Sequence, residues 1–188
     1  MSKYERFRQE CGRKEPLKGL LVRQAVPTDV SGIAAVSAER YGKPIAQFEE
    51  KIHGELQAAA AGRSVLFVAI AEGVVVGFAR CRYMDTAAAP VKFPSPSGWY
   101  GLGIIVQKLY RGRGVARALS DFRAAWLRDE AGADRLYSFV SAENPVSQKM
   151  HADFGFQAVA EGAGFLNVSF DCGRGILYSL ELKQGKGP

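Results

Sequence analysis

The stretch Ile104-Ile105-Val106-Gln107-Lys108-Leu109-Tyr110-Arg111-Gly112-Arg113-Gly114-Val115-Ala116-Arg117-Ala118-Leu119 decides how the rest of this 188-residue chain is read. Its three opening β-branched residues suit the end of a strand. A turn carrying Gly112 and Gly114 follows, and a helix starts at once, with Val115, Leu119, Phe122 and Trp126 as its apolar stripe. The first turn of a helix leaves backbone N–H groups without intrahelical acceptors and carries a partial positive charge. Glycines let an anion approach the main chain unobstructed by side chains. Arg111, Arg113 and Arg117 add cations around the same bend. Together these features describe a pyrophosphate site at a helix N-terminus.

Two other phosphate motifs fit less well. A dinucleotide fold needs Gly-x-Gly-x-x-Gly in an early parallel βαβ unit, and here Arg117 occupies the place of the third glycine. A phosphate loop needs Gly-Lys followed by Ser or Thr after four spacer residues, which the stretch lacks. A plain glycine turn into a helix is the bland alternative, and Gly-x-Gly alone does not exclude it.

Outward from the bend, the pattern gives one order of elements. Residues 20–26 read as a short strand, and Pro27-Thr28-Asp29 as a helix start with Val30, Ile33, Ala34 and Ser37 on one face. Pro44 opens a second helix carrying Ile45, Phe48, Ile52 and Leu56 at helical spacing. Residues 65–71 and 74–83 form a hairpin about Glu72-Gly73. Residues 84–98, rich in Pro, Ala and Ser, form a long loop. A strand at 99–106, the helix at 114–130 and a strand at 134–140 follow. Pro145 starts a helix with Val146, Met150 and Phe154 on one face, which Gly155 ends. Residues 156–160 and 175–182 close the chain as two strands. Hairpins imply antiparallel pairing, and the later helical crossovers imply a parallel section. The expectation is an α/β (α+β) fold: a mixed, mostly antiparallel sheet of six to seven strands flanked by about four helices. It forms one domain over 19–183, between an arm at 1–18, flexible or loosely docked, and a tail at 184–188.

Composition limits the function classes. No apolar run approaches the roughly 18 residues of a membrane span, and residues 1–19 have no apolar core of a secretory signal. Cys11, Cys81 and Cys172 are scattered, and the histidines are His53 and His151. That argues against a disulfide framework and a zinc site and favours a cytoplasmic setting. The net charge of +6 could serve nucleic acid, but no basic run interleaves with aromatics. A polyanionic small molecule accounts for the cluster at Arg111, Arg113 and Arg117 equally well.

Two segments together resemble the GCN5-related N-acetyltransferase (GNAT) superfamily. Its Arg/Gln-x-x-Gly-x-Gly/Ala signature matches Arg111-Gly112-Arg113-Gly114-Val115-Ala116, preceded by the strand Ile104-Ile105-Val106. A second segment, Asn144-Pro145-Val146-Ser147 through Phe154-Gly155-Phe156, follows in the expected order. The likeness extends over about 20–182 and is diagnostic over 99–156. It implies acetyl-CoA as co-substrate, seated between the strand ending at Val106 and the strand near 135–140. Backbone amides of 111–116 would take the pyrophosphate, and Asn144, beside its capping role, would contact the cofactor. A strand N–H near Ile105 or Val106 would stabilise the oxyanion. The acceptor amine would attack directly, the two substrates being held together.

The family often places an acidic tyrosine on the helix after the second motif. His151 stands at the matching position here, and an imidazolium, whose unperturbed pKa is about 6.5, can donate a proton. It can equally border the apolar face of its helix. Tyr100 is a candidate for the acceptor cleft, with packing as its bland role. Glu72, Asp85 and Glu143 are carboxylates near strand ends, none singled out as general base, and a water relay is also open. The expected activity is transfer of an acetyl group to a primary amine of a small molecule, amino-acid-like or aminoglycoside-like. A non-catalytic acyl-CoA sensor on the same fold and a protein or peptide N-terminal acetyltransferase are the alternatives. A homodimer is implied by the resemblance alone.

Overall fold

The computed structural model describes residues 14–59 and 62–182. Cys11, most of the expected N-terminal arm and the expected tail lie outside the described residues. The chain runs β1 (Leu21–Gln24), α1 (Val30–Tyr41), α2 (Ala46–Ala59), β2 (Ser64–Ala71), β3 (Val74–Met84), β4 (Gly98–Val106), α3 (Val115–Asp129) and β5 (Arg135–Ser141). It continues with α4 (Pro145–Asp153), β6 (Gln157–Gly162), the short strands β7 (Gly164–Phe165) and β8 (Val168–Ser169), and β9 (Gly175–Glu181). Seven strands pair in the order β1-β2-β3-β4-β5-β9-β6, and β7 pairs with β8 apart. The pairings β1–β2, β2–β3, β5–β9 and β6–β9 are antiparallel, whereas β4–β5 is parallel. The expected mixed sheet and four helices are therefore present.

Within the described residues the chain gathers into two compact units. One contains Tyr83–Tyr100 and the chain from Leu127 onward; the other contains the chain up to Arg82 with Gly101–Trp126.

In the unit that holds β1–β3 and α1–α3, β2 is covered on both faces. Leu66 and Val68 pack with Ile33, Ala34, Val36 and Ile52. Phe67, between them in sequence, meets the rings of Phe122 and Trp126 edge-on. A strand buried on both faces reads as a continuous apolar run, as Val65–Ala71 does. Each fully buried side chain of this size contributes roughly 1.5–3 kcal/mol. Of the stripe read on the 114–130 helix, Val115 and Leu119 are sealed from solvent and Phe122 and Trp126 are half-buried, while Leu127, outside that stripe, is fully buried. At the start of α1, Pro27–Asp29 makes a 3-10 turn, and Asp29 Oδ2 accepts the Val26 N–H at 2.8 Å. Ile45 precedes α2 and is exposed; on α2 Ile52 is buried, with Phe48 and Leu56 half-covered.

In the other unit, β5 alternates as a strand should. Tyr137 and Phe139 turn to Tyr100, Phe165 and Phe170, and Ser138 turns to His151. The expected inner face of α4 is displaced by about one position. His151 is buried, Met150 and Phe154 are half-buried, and Val146 is exposed. A helix of only nine residues is too short for three apolar positions to fix its orientation.

Candidate active site

The bend after β4 is held by its own main chain. Gly112 and Gly114 have φ of 75° and 85°, a region that non-glycine residues rarely enter. A Cβ added at Gly114 would meet no atom within 4 Å. The glycine is thus required by backbone conformation, and the space over it is clear. The first bond of the α3 ladder runs from the Ala118 N–H to the Gly114 carbonyl at 3.0 Å. The N–H groups of Val115 and Ala116 therefore have no acceptor within the helix, and the first turn of α3 carries no acidic residue. These features fit a diphosphate.

The three arginines do more than add charge. Arg111 Nε donates to the Val106 carbonyl at 3.0 Å, tying the bend to the end of β4. Arg117 Nε donates to Asp121 at 2.9 Å along the exposed face of α3. Arg113 Nε reaches the Glu15 carbonyl at 3.4 Å. Glu39, which nothing in the sequence marks, accepts the Lys108 N–H at 2.6 Å and steadies the 3-10 turn Lys108–Tyr110.

The main-chain direction of β4 separates Ile105 from Val106. Gln107 donates its N–H to the Val76 carbonyl at 3.0 Å. The Ile105 carbonyl lies 2.9 Å from where a Cβ on Gly77 would stand. Ile105 and Gln107 therefore turn their polar groups towards β3. These groups alternate in direction along a strand, so Ile104 and Val106 turn theirs away from β3.

Tyr100, Asn144 and His151 belong to the other unit. Asn144 caps α4, its Oδ1 accepting the Ser147 N–H at 3.0 Å, with Pro145 at the first helical position. His151 is 7% exposed. Its Nδ1 lies 2.7 Å from the Ser147 carbonyl and must donate there, which leaves Nε2, 2.9 Å from Ser138 Oγ, to accept from that hydroxyl in the neutral ring. The imidazole packs against Tyr178 and Phe156. Ser138 was not foreseen, because a serine between Tyr137 and Phe139 carries no motif. Tyr100 is fully buried and donates to the Pro96 carbonyl at 2.7 Å. Burial pushes its phenol well above the ordinary tyrosine range, and neighbouring Tyr137 adds to this.

The 84–98 loop is tied to the β7–β8 hairpin. Phe93 and Leu166 form a β-bridge, the Lys92 N–H donates to Asn167 Oδ1 at 2.9 Å, and the Leu166 N–H donates to Ser95 Oγ at 2.7 Å. Strands of two residues leave no alternation to read, so β7 and β8 were missed. Of the carboxylates near strand ends, Asp85 Oδ1 accepts the Ala88 N–H at 3.1 Å, Glu72 sits in the β2–β3 turn with φ of 52°, and Glu143 is exposed. Among the described residues no group of three or more His, Cys, Asp or Glu could hold a metal ion, and no helix is long and apolar enough to cross a membrane. Cys81, buried, and Cys172, half-buried, are both free thiols.

Comparison with known proteins converges on one family. The family model described as "Acetyltransferase (GNAT) family" matches residues 33–156. The chain is 33% identical over 141 residues to an aminoglycoside N(6')-acetyltransferase type 1 of Stenotrophomonas maltophilia, covering 72% of this chain and 85% of that one. A ribosomal-protein-S5-alanine acetyltransferase of Vibrio fischeri superposes with a TM-score of 0.68 at 17% identity, covering 91% and 97% of the two chains. The yncA protein of Salmonella typhimurium, solved with acetyl-CoA as its cofactor, superposes at 0.61 and 15% identity, covering 91% and 98%.

Proposed function

Since the chain belongs to the GNAT family and is an acetyltransferase, we propose that it transfers an acetyl group from acetyl-CoA directly to the primary amine of a small molecule. The observation that carries the donor assignment is the bend at 112–116. Left-handed glycines, a helix N-terminus without acids and a clear approach over Gly114 suit a diphosphate. Acetyl-CoA supplies an activated thioester.

The chain's own residues supply position and polarity. The amides of Arg113, Gly114, Val115 and Ala116 bind the diphosphate. Arg111 holds the bend against β4. The Val106 N–H, turned away from β3, is the donor to the developing oxyanion in this reading. As the amine nitrogen bonds to the acyl carbon, the carbon–sulfur bond breaks. The amine loses a proton and the thiolate gains one.

As general acid, His151 would act through a relay. Nδ1 is committed to Ser147, so a proton would pass from Nε2 through the Ser138 hydroxyl. The competing role is to hold α4 on β5 as a neutral ring, which its burial favours because a charged imidazole is costly there. If the relay operates, His151→Phe and Ser138→Ala both flatten the pH–rate profile. A profile of unchanged shape, with only a lower melting temperature, removes the relay. Tyr100, locked to Pro96, serves the 84–98 loop as a neutral donor; in this reading Tyr100→Phe changes KM for the acceptor more than kcat. Asn144 contacts the donor only in addition to its cap.

A small amine with an apolar or aromatic body suits the half-buried rings of Tyr137 and Phe139, which the buried rings of Tyr100, Phe165 and Phe170 hold in place. Glu161 and Glu181 in the same unit are engaged by Arg174 and Arg135. The relative from S. maltophilia favours a second reading, an aminoglycoside acceptor. Thiol release from acetyl-CoA across a panel of aromatic amines, amino acids and aminoglycosides separates the two. Coenzyme A binding without release of thiol for any amine would leave a sensor rather than this reaction.

A further inference from the structure

The segment Lys14-Glu15-Pro16-Leu17, part of the arm expected to be flexible or loosely docked, lies against the glycine bend. The Lys14 N–H donates to the Gly112 carbonyl at 3.1 Å, and the Leu17 N–H donates to the Arg113 carbonyl at 3.3 Å. Arg113 Nε returns a contact to the Glu15 carbonyl. In a trans peptide the C=O of one residue and the N–H of the next point in opposite directions. Fixing the Gly112 carbonyl on the segment therefore turns the Arg113 N–H to the opposite side. Fixing the Arg113 carbonyl does the same for the Gly114 N–H.

Without such contacts these planes would be free to turn. Gly112 and Gly114 border them, and glycine crosses between left- and right-handed conformations at little cost. Pro16 stiffens the segment by fixing its own φ and by holding Glu15 extended.

We propose that residues 14–17 are a positioning strap that orients the Arg113 and Gly114 amides of the bend towards the diphosphate of the acyl donor. The main-chain bonds of the strap go to the far side of the peptide planes. Its effect is preorganisation: a ligand that meets amides already aligned does not have to order them. The proposal rests on the reading of the bend as the diphosphate site.

The test removes donors from the strap while keeping the chain full length. Lys14→Pro and Leu17→Pro each delete one N–H, and Lys14→Ala and Leu17→Ala keep it. Affinity is measured by calorimetry for coenzyme A and for pantetheine, which lacks the diphosphate, with the melting temperature of each variant recorded. The expected result is a loss of roughly fivefold in coenzyme A affinity for each proline variant, as for one hydrogen bond. Pantetheine affinity stays at the wild-type value, and both alanine variants bind as wild type does. Proline variants that match the alanine variants, or that lose coenzyme A and pantetheine by the same factor, overturn the strap alone. Wild-type protein that binds no coenzyme A overturns the diphosphate reading and the strap with it.

Discussion

Gly114 and Gly77 are glycines for opposite reasons. Gly77 is small because Ile105 and Val115 press on it, whereas Gly114 has open space and a φ of 85°. Alanine at Gly114 should cost about 1–2 kcal/mol in backbone conformation. Since its Cβ would stand over the bend, coenzyme A affinity should fall roughly tenfold or more. A calorimetric titration that gives wild-type affinity for Gly114→Ala would show that the donor's diphosphate does not approach this residue. The glycines and the Asn144 cap were legible in the sequence because φ > 0 and helix capping are local demands with few chemical solutions. The partners of His151 were not, since Ser138 meets it only after α4 returns to β5. Nor was the Val106–Arg111 bond legible, because a guanidinium beside a glycine turn serves a phosphate or a carbonyl equally well.

Among the elements, β4 carries the most chemistry in the fewest residues. Its direction is set from the β3 side, where Gly77 admits the Ile105 carbonyl closely. A methyl group on Gly77 would stand 2.9 Å from that oxygen and 3.2 Å from Val115 Cγ1, pressing on both β4 and the start of α3. Gly77→Ala is therefore expected to destabilise by about 1–3 kcal/mol. In a chain of this length that lowers Tm by roughly 2–10 °C, and it should weaken coenzyme A binding as well. A variant with wild-type Tm and affinity would mean that β4 is not held by this approach. The strand–bend–helix unit could be read from sequence because each boundary has a local signature: β-branched residues, two glycines, then a helical stripe. The β7–β8 hairpin could not be read, because it is defined by cross-chain bonds to Lys92, Phe93 and Ser95.

For the molecule as a whole, patterning accounts for the chain order of the elements and for the antiparallel hairpins, but not for β9 standing between β5 and β6. What patterning does not reveal is where ion pairs hold the chain. Asp29 is 6% exposed and receives both Arg23 nitrogens, at 2.7 and 2.8 Å, besides the Val26 N–H. Burial alone would raise its carboxyl. The Arg23 hydrogen bonds, the Val26 N–H and the Arg23 charge together outweigh this and hold it below the ordinary value. A depressed carboxyl stabilises fully above the unfolded pKa of about 4 and loses that contribution as pH falls through the folded value. Asp29→Asn should thus cost roughly 1–2 kcal/mol at neutral pH, with the gap from wild type closing in acid below about pH 4. Urea denaturation at pH 7 and pH 3 measures both; a gap that persists unchanged at pH 3 would show that charge is not what Asp29 contributes.

A titration of uniformly ¹⁵N-labelled protein with coenzyme A, followed by amide NMR, tests the diphosphate assignment most directly. The prediction is that the Arg113, Gly114, Val115 and Ala116 amides move downfield together as they donate to the phosphates, with saturation at one equivalent. Unmoved signals from these four residues, while others elsewhere shift or none do, would contradict it.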